Sequence, residues 1–349
     1  MSKILITGAT GVIGHYAVNQ LLTKNFEVIA ASRSGKGSCG VSLDIHDLNA
    51  VNNLMQYSKP DYLLHLAWNI GEGYSNNPEN FAWINSSLNL LKIFAENGGK
   101  RAVFAGSCFE YSPNYGLMIE DFTPLEPISI YGLAKSSLYK LATEYAKILN
   151  ISFAWGRGFF LYGVGERDKR LVPYIIDSLL DGRIPAINYP YITRDYMHAK
   201  DIAAGFINLL LNNFNGAVNI ASGQAITLCD IAKKIALLMN SPVPEYSRTD
   251  EGILTPLIMA DTQRLNNIIG FKQKISWEEG LTEIINWRKS LHEKNNHAKK
   301  LLTNHKNNII DSGVRSQESG VRSQESGVRK PKPDKILRSR FANCGIMAA

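Results

Sequence analysis

The chain has 349 residues, 45% hydrophobic and 20% charged, with a formal net charge of +7. That length holds one large or two modest cores, and no unbroken apolar run reaches the eighteen or so residues that a spanning helix needs, so no membrane segment is expected. The basic excess is local: residues 291–349 carry 12 of the 38 basic and 5 of the 31 acidic side chains, leaving 26 of each sign in 1–290. A neutral body has no electrostatic footprint for nucleic acid.

The N-terminus enters a buried-strand pattern at once, Lys3-Ile4-Leu5-Ile6-Thr7, so no signal peptide is expected. The strand runs into Gly8-Ala9-Thr10-Gly11-Val12-Ile13-Gly14 and then an amphipathic helix through about Lys24. Strand, glycine turn and helix N-terminus together present unpaired N–H groups to a pyrophosphate. Gly8, Thr10, Gly11, Val12, Ile13 and Gly14 are therefore expected to bind a dinucleotide.

The next strand, Phe26 to Ala31, ends in Ser32-Arg33-Ser34. A preference for NAD usually places an acidic residue here for the ribose hydroxyl, and none occurs between Glu27 and Asp44. A guanidinium suits a phosphate, so Ser32 and Arg33 predict NADP(H), with NAD as the alternative. Asp44 and Ile45 follow a short apolar run and are placed at the adenine. Tyr62-Leu63-Leu64-His65-Leu66-Ala67 reads as a strand whose end, Leu66 and Ala67, reaches the cofactor. A helix is predicted from Asn80 to Asn97 and a strand over 101–106. Repeated βα units predict a doubly wound parallel sheet, an α/β fold with helices on both faces.

Ser107 closes that strand, and Ser129-Ile130-Tyr131-Gly132-Leu133-Ala134-Lys135 opens a helix to about Leu149. Tyr131 and Lys135 are four apart and share a helical face. An ammonium about 4 Å from a phenol is worth roughly 4 kcal/mol at an effective dielectric near 20, or about three pKa units. Lys135 is therefore expected to make Tyr131 acidic enough to exchange protons with a carbonyl or hydroxyl. Cys39, Cys108, Cys229 and Cys344 lack the spacing of metal ligands or of a disulfide framework, so no metal and a reducing, cytoplasmic setting are expected.

Taken with Arg157-Gly158-Phe159-Phe160-Leu161-Tyr162-Gly163-Val164-Gly165-Glu166 and Arg194-Asp195-Tyr196-Met197-His198-Ala199-Lys200-Asp201, these motifs resemble the extended short-chain dehydrogenases/reductases of the nucleotide-sugar epimerase/dehydratase family. The resemblance covers 1–290. It implies that Ser107 positions the reacting carbonyl, that Tyr131 is the acid/base with Lys135 beside it, and that Arg194 contacts a nucleotide-sugar diphosphate. Trp68, Cys108, Phe109 and Arg157 are the further substrate contacts expected. The resemblance also implies a homodimer, formed through the helices at 80–97 and 129–149.

Two departures stand out. Cys108 and Phe109 occupy the positions where similar dehydratases carry an acidic group, which disfavours dehydration. Ala67-Trp68 replaces two small residues. With NADP(H) favoured, the sequence reading is an NADPH-dependent reductase of a 4-keto-6-deoxy nucleotide sugar, with an NAD-dependent nucleotide-sugar epimerase as the alternative. A non-catalytic dinucleotide-binding regulator is the third reading, opposed by the presence of both Tyr131 and Lys135. The expected domains are 1–157 with 197–222 for the cofactor and 158–196 with 223–290 for the substrate, interleaved. A low-complexity basic tail, 291–349, follows; it repeats Ser-Gly-Val-Arg-Ser-Gln-Glu and is expected to be disordered.

Overall fold

The computed structural model describes residues 2–246 and 255–315, with side chains up to 297. The first half of the chain alternates strand and helix: β1 (Lys3–Thr7), α1 (Val12–Leu22), β2 (Glu27–Ser32), β3 (Gly40–Ser42), α2 (Leu48–Ser58) and β4 (Tyr62–His65). Then come α3 (Glu79–Glu96), β5 (Arg101–Ser107), β6 (Leu117–Met118), α4 (Ile130–Ile148), β7 (Ser152–Gly158) and β8 (Phe160–Tyr162). The rest comprises α5 (Leu171–Leu180), β9 (Thr193–His198), α6 (Ala199–Leu211), β10 (Gly216–Ile220), β11 (Ala225–Thr227) and α7 (Leu228–Leu238). Last are β12 (Leu257–Ala260), α8 (Gln263–Asn267) and α9 (Trp277–Arg315).

Seven strands form a parallel sheet in the order β10-β7-β5-β4-β1-β2-β3. The unbroken apolar run of β1 has its reason in the layers. Ile4 and Ile6 pack on one side with Ala17, Val18 and Leu21 of α1 and with Phe206 of α6. Leu5, between them, packs on the other with Leu90 and Phe94 of α3 and Leu138 of α4. Burying each such side chain contributes roughly 1.5–3 kcal/mol, so a polar residue at any of the three would lose a face of the sheet. Chain order reverses between β1 and β4, the switch point at which doubly wound sheets bind ligands.

A smaller mixed sheet follows the path β11-β9-β12-β6, with β8 paired to β9. Leu117–Met118, inside the segment expected to serve the cofactor, joins this second sheet by pairing with β12. Residues 1–286 make one compact unit and a second begins at Trp287. Helical backbone runs on through Arg315, past the expected boundary at 290. Most of the seven-residue repeat lies outside the described residues. No described helix is long and apolar enough to cross a membrane.

Helix starts follow local chemistry. Asp47 caps α2 by accepting from the Asn49 and Ala50 N–H groups, both at 3.0 Å, and Ser129 caps α4 by accepting from Gly132 N at 3.1 Å. α1 is the contrast: Gly11 at its N-cap offers no side-chain acceptor, so its first N–H groups are left for another partner.

Candidate active site

The glycine turn and the end of β4 meet at the switch point. Gly8 has φ +72°, and a Cβ there would lie 2.7 Å from Ala67 N. The turn is thus seated directly on Leu66–Ala67, bringing together two segments read as cofactor contacts. Thr10 and Gly11 are exposed beside the uncapped start of α1, while Val12 and Ile13 are half-buried. A polar backbone cradle of this kind fits a dinucleotide pyrophosphate.

Farther along the sheet edge, Asp44 is exposed and Ile45 buried. Asp44 accepts from His46 N at 3.0 Å through one oxygen. Ser32 ends β2. It is buried, and its hydroxyl accepts from Gly35 N at 3.2 Å within its own turn. Arg33 is exposed.

Ser107 ends β5 as the N-cap of a 3-10 turn, Cys108–Glu110. Its Oγ accepts from Phe109 N at 3.3 Å, and Glu110 reaches back to accept from Ser107 N at 2.7 Å, a reciprocal capping box. Glu110 is fully buried. Its carboxylate also accepts from Trp155 Nε1 at 2.9 Å and pairs with Arg157 Nε at 2.7 Å. The 3-10 turn folds Glu110 underneath Ser107. The S-x-x-E spacing was the sequence signal for it.

Arg157 is buried, ion-paired to Glu110 and donating to Tyr111 Oη at 3.1 Å. Its guanidinium is committed inside the body, so the expected substrate contact becomes a supporting role. The first turn of α4 presses on the 3-10 turn so closely that a Cβ at Gly132 would sit 2.1 Å from Phe109 O. That contact sets Tyr131 beside Ser107.

Tyr131 is buried, with three aromatic rings edge-on to its own: Tyr74 at 5.0 Å, Trp68 at 6.2 Å and Phe109 at 6.4 Å. Burial pushes its phenol well above the ordinary range, and a hydrogen bond with the Ser107 side chain opposes this. Lys135 does not supply the acidification expected of it. Its Nζ donates to Ala105 O at 2.7 Å and lies 3.7 Å from the centre of the Trp68 ring. Burial pushes its pKa down to about 7, with Glu110 pulling the other way. Desolvation wins at both groups because the aromatic surround offers neither charge a water shell.

Cys108 is buried too, and its thiol is pushed up to about 12 by that burial. Arg194, 7% exposed, donates to Thr193 O at 2.9 Å and lies 5.7 Å from the Phe160 ring. No carboxylate among the described residues pairs with it. Asp195 accepts instead from Ser222, Gly223 and Ala260 backbone N–H groups, and Asp201 from Lys274 and Ile275. Tyr74 is the site residue that sequence reasoning missed. It lies in the loop before α3, with the Arg170 guanidinium 5.8 Å from its ring, and no local pattern marks it.

A model of the NAD dependent epimerase/dehydratase family matches residues 4–221. The chain belongs to that family. Membership makes it an NAD(P)-dependent enzyme of the extended short-chain dehydrogenases/reductases. A putative UDP-glucose 4-epimerase of Methanocaldococcus jannaschii is 27% identical over 307 residues, covering 82% of this chain and 98% of the relative. The solved UDP-glucose 4-epimerase of Thermotoga maritima, with UDP-glucose, is 22% identical with a TM-score of 0.75, covering 83% and 99% of the two chains. That of Stenotrophomonas maltophila, with bound NAD and formylated UDP-arabinopyranose, is 19% identical with a TM-score of 0.73, covering 84% and 100%.

Several further family structures similar to this chain hold NAD. This overturns the NADP(H) preference read from Ser32 and Arg33. The NADPH-dependent keto-sugar reductase falls with it, the relatives being chiefly 4-epimerases.

Proposed function

We propose that this chain is an NAD-dependent nucleotide-sugar 4-epimerase. The observation that carries the reading is the set of groups around Tyr131. A dehydratase needs a second acid or base, and here Cys108 holds its proton to about pH 12, Phe109 has none, and Glu110 is locked to Arg157 and the Ser107 N–H. One acid/base remains, and epimerisation at a carbinol carbon needs one.

The glycine turn from Gly8 to Gly14 would hold the pyrophosphate, Asp44 and Ile45 the adenine end, Ser32 and Arg33 its ribose, and Leu66 and Ala67 the face of the turn. NAD, when bound, supplies the hydride acceptor and donor. Tyr131 Oη, as the phenolate, takes the proton of the sugar hydroxyl to become the phenol and returns it when the hydride comes back, with Ser107 Oγ hydrogen-bonded to the same sugar oxygen. Lys135, pushed down to about 7 by burial, stands one helical turn from the phenol, and its charged form favours the phenolate. Arg194, desolvated and without a carboxylate partner among the described residues, is suited to the sugar-nucleotide diphosphate. Trp68, Cys108 and Phe109 border the sugar.

In the same reading, 1–157 with 197–222 serve the cofactor and 158–196 with 223–290 the sugar nucleotide. The protein is a homodimer through α3 and α4, and its free cysteines suit a reducing cytoplasm. The test is incubation of the purified protein with UDP-glucose, UDP-galactose and the corresponding uronates and pentoses, read by product chromatography. Formation of the C4 epimer without net production of NADH is expected. Failure to form an epimer from any of them would overturn the reading.

A further inference from the structure

Trp68 follows β4, and the structure gives its indole a defined seat. Asn80 is buried, and its Nδ2 donates to both Tyr74 O and Asn77 O at 2.7 Å. Its amide is thereby oriented, leaving Oδ1 to accept from Trp68 Nε1 at 2.8 Å. Trp83 stacks on Trp68 with ring centres 5.5 Å apart and is itself tied to Glu79 Oε1 at 3.1 Å. The indole is fixed by its edge and by its neighbour.

What it presents is a π face to the Lys135 ammonium, 3.7 Å from the ring centre. Ala105 O takes one of the three ammonium protons. Two charged or titratable groups from other elements act on Lys135: Glu110, whose carboxylate favours the charged form, and His65, whose own protonation Lys135 opposes. An aromatic face attracts a desolvated cation where water cannot reach it.

We propose that Trp68 is a positioning residue, its indole face holding the Lys135 ammonium in register with Tyr131. The role deepens the epimerase reading, and its kinetic consequences rest on that reading.

The experiment uses the full chain with 13C-labelled lysine, as wild type, Trp68→Phe and Trp68→Leu. Leucine keeps an apolar volume and excludes water but has no π face; phenylalanine keeps a face. In the wild type the Lys135 Hε signals are expected upfield of the other lysines through the indole ring current, a reading that requires no variant. The Lys135 titration midpoint is expected to fall by about one pH unit in Trp68→Leu and by less than half of that in Trp68→Phe. Epimerase kcat at pH 7 is expected to fall about fivefold in Trp68→Leu and no more than about twofold in Trp68→Phe. Unshifted wild-type signals, or equal midpoints in the two variants, would overturn the proposal. The titration needs no turnover, so its failure removes the role of Trp68 alone, whereas a wild type that forms no epimer removes the functional reading alone.

Discussion

His65 is closed in on both ring nitrogens. Its Nδ1 lies 2.6 Å from Thr7 Oγ1 and its Nε2 2.9 Å from Ser87 Oγ, with the Phe104 ring 4.6 Å away. The two hydroxyls can serve either protonation state, so hydrogen bonding does not decide its charge. Burial does, aided by the Lys135 ammonium, and together they push the imidazole down to about 3. The unfolded chain takes up this proton near pH 6.5. Between about pH 6.5 and 3 the unfolded state therefore binds more protons than the native one. The stability from a neutral His65 is complete above that window and drains away as pH falls through it, at about 1.4 kcal/mol per pH unit. Urea unfolding at pH 6.5 and pH 5 checks this. The wild type is expected to lose about 2 kcal/mol more than His65→Gln over that interval. Glu166, pushed up to about 8 by burial, has the opposite sign but is common to both proteins, so the difference isolates His65. Parallel losses would sink the assignment.

At the scale of elements, the short turn after β5 decides how Ser107 is aimed. Its stability rests on the buried pair of Glu110 with Arg157, 47 residues apart in sequence. Removing one partner of a buried pair leaves the other uncompensated, at a cost of about 3–5 kcal/mol. Glu110→Gln keeps the shape and an acceptor for Ser107 N but removes the charge. It is expected to lower unfolding stability by that amount and to reduce kcat through a loosened Ser107. Adding Arg157→Met, which removes the orphaned charge, is expected to restore part of the stability. A single Gln variant as stable as wild type would show the pair to be dispensable. This turn also marks where sequence reading stops. The glycine turn and the Tyr131–Lys135 spacing are local and could be read at sight. The S-x-x-E cap was local as well, but the distant Arg157 that holds its Glu110 was not. Arg157 was misassigned because its partner is distant, and the charge state of Lys135 because burial, which no local spacing reports, outweighs proximity.

For the whole molecule, the seven-stranded sheet was legible because alternating strand and helix patterns leave few topologies open. The smaller sheet was not, since its strands are two to six residues long and pair segments as remote as Leu117–Met118 and Met259–Ala260. Burial along α4 adds what periodicity could not separate. Leu138 is core, whereas Leu133, Leu141 and Ile148 are 50%, 52% and 79% exposed. Those three lie within about a quarter-turn of one another around the helix, and Phe81 of α3 is exposed as well, at 55%. A stripe of large apolar side chains left in water is unfavourable by roughly 25 cal/mol for each Å² that a partner would cover, and a second copy of the same two helices covers it symmetrically. The chain, 38.8 kDa, is therefore expected to sediment as a species of twice that mass. Leu141→Lys with Ile148→Lys, which places two charges on the stripe without touching the buried face, is expected to shift sedimentation to the monomer at micromolar concentration while far-ultraviolet circular dichroism stays unchanged. A wild type that sediments as a monomer at every concentration tried would remove the interface, and a doubly substituted protein that remains dimeric would move it to another face.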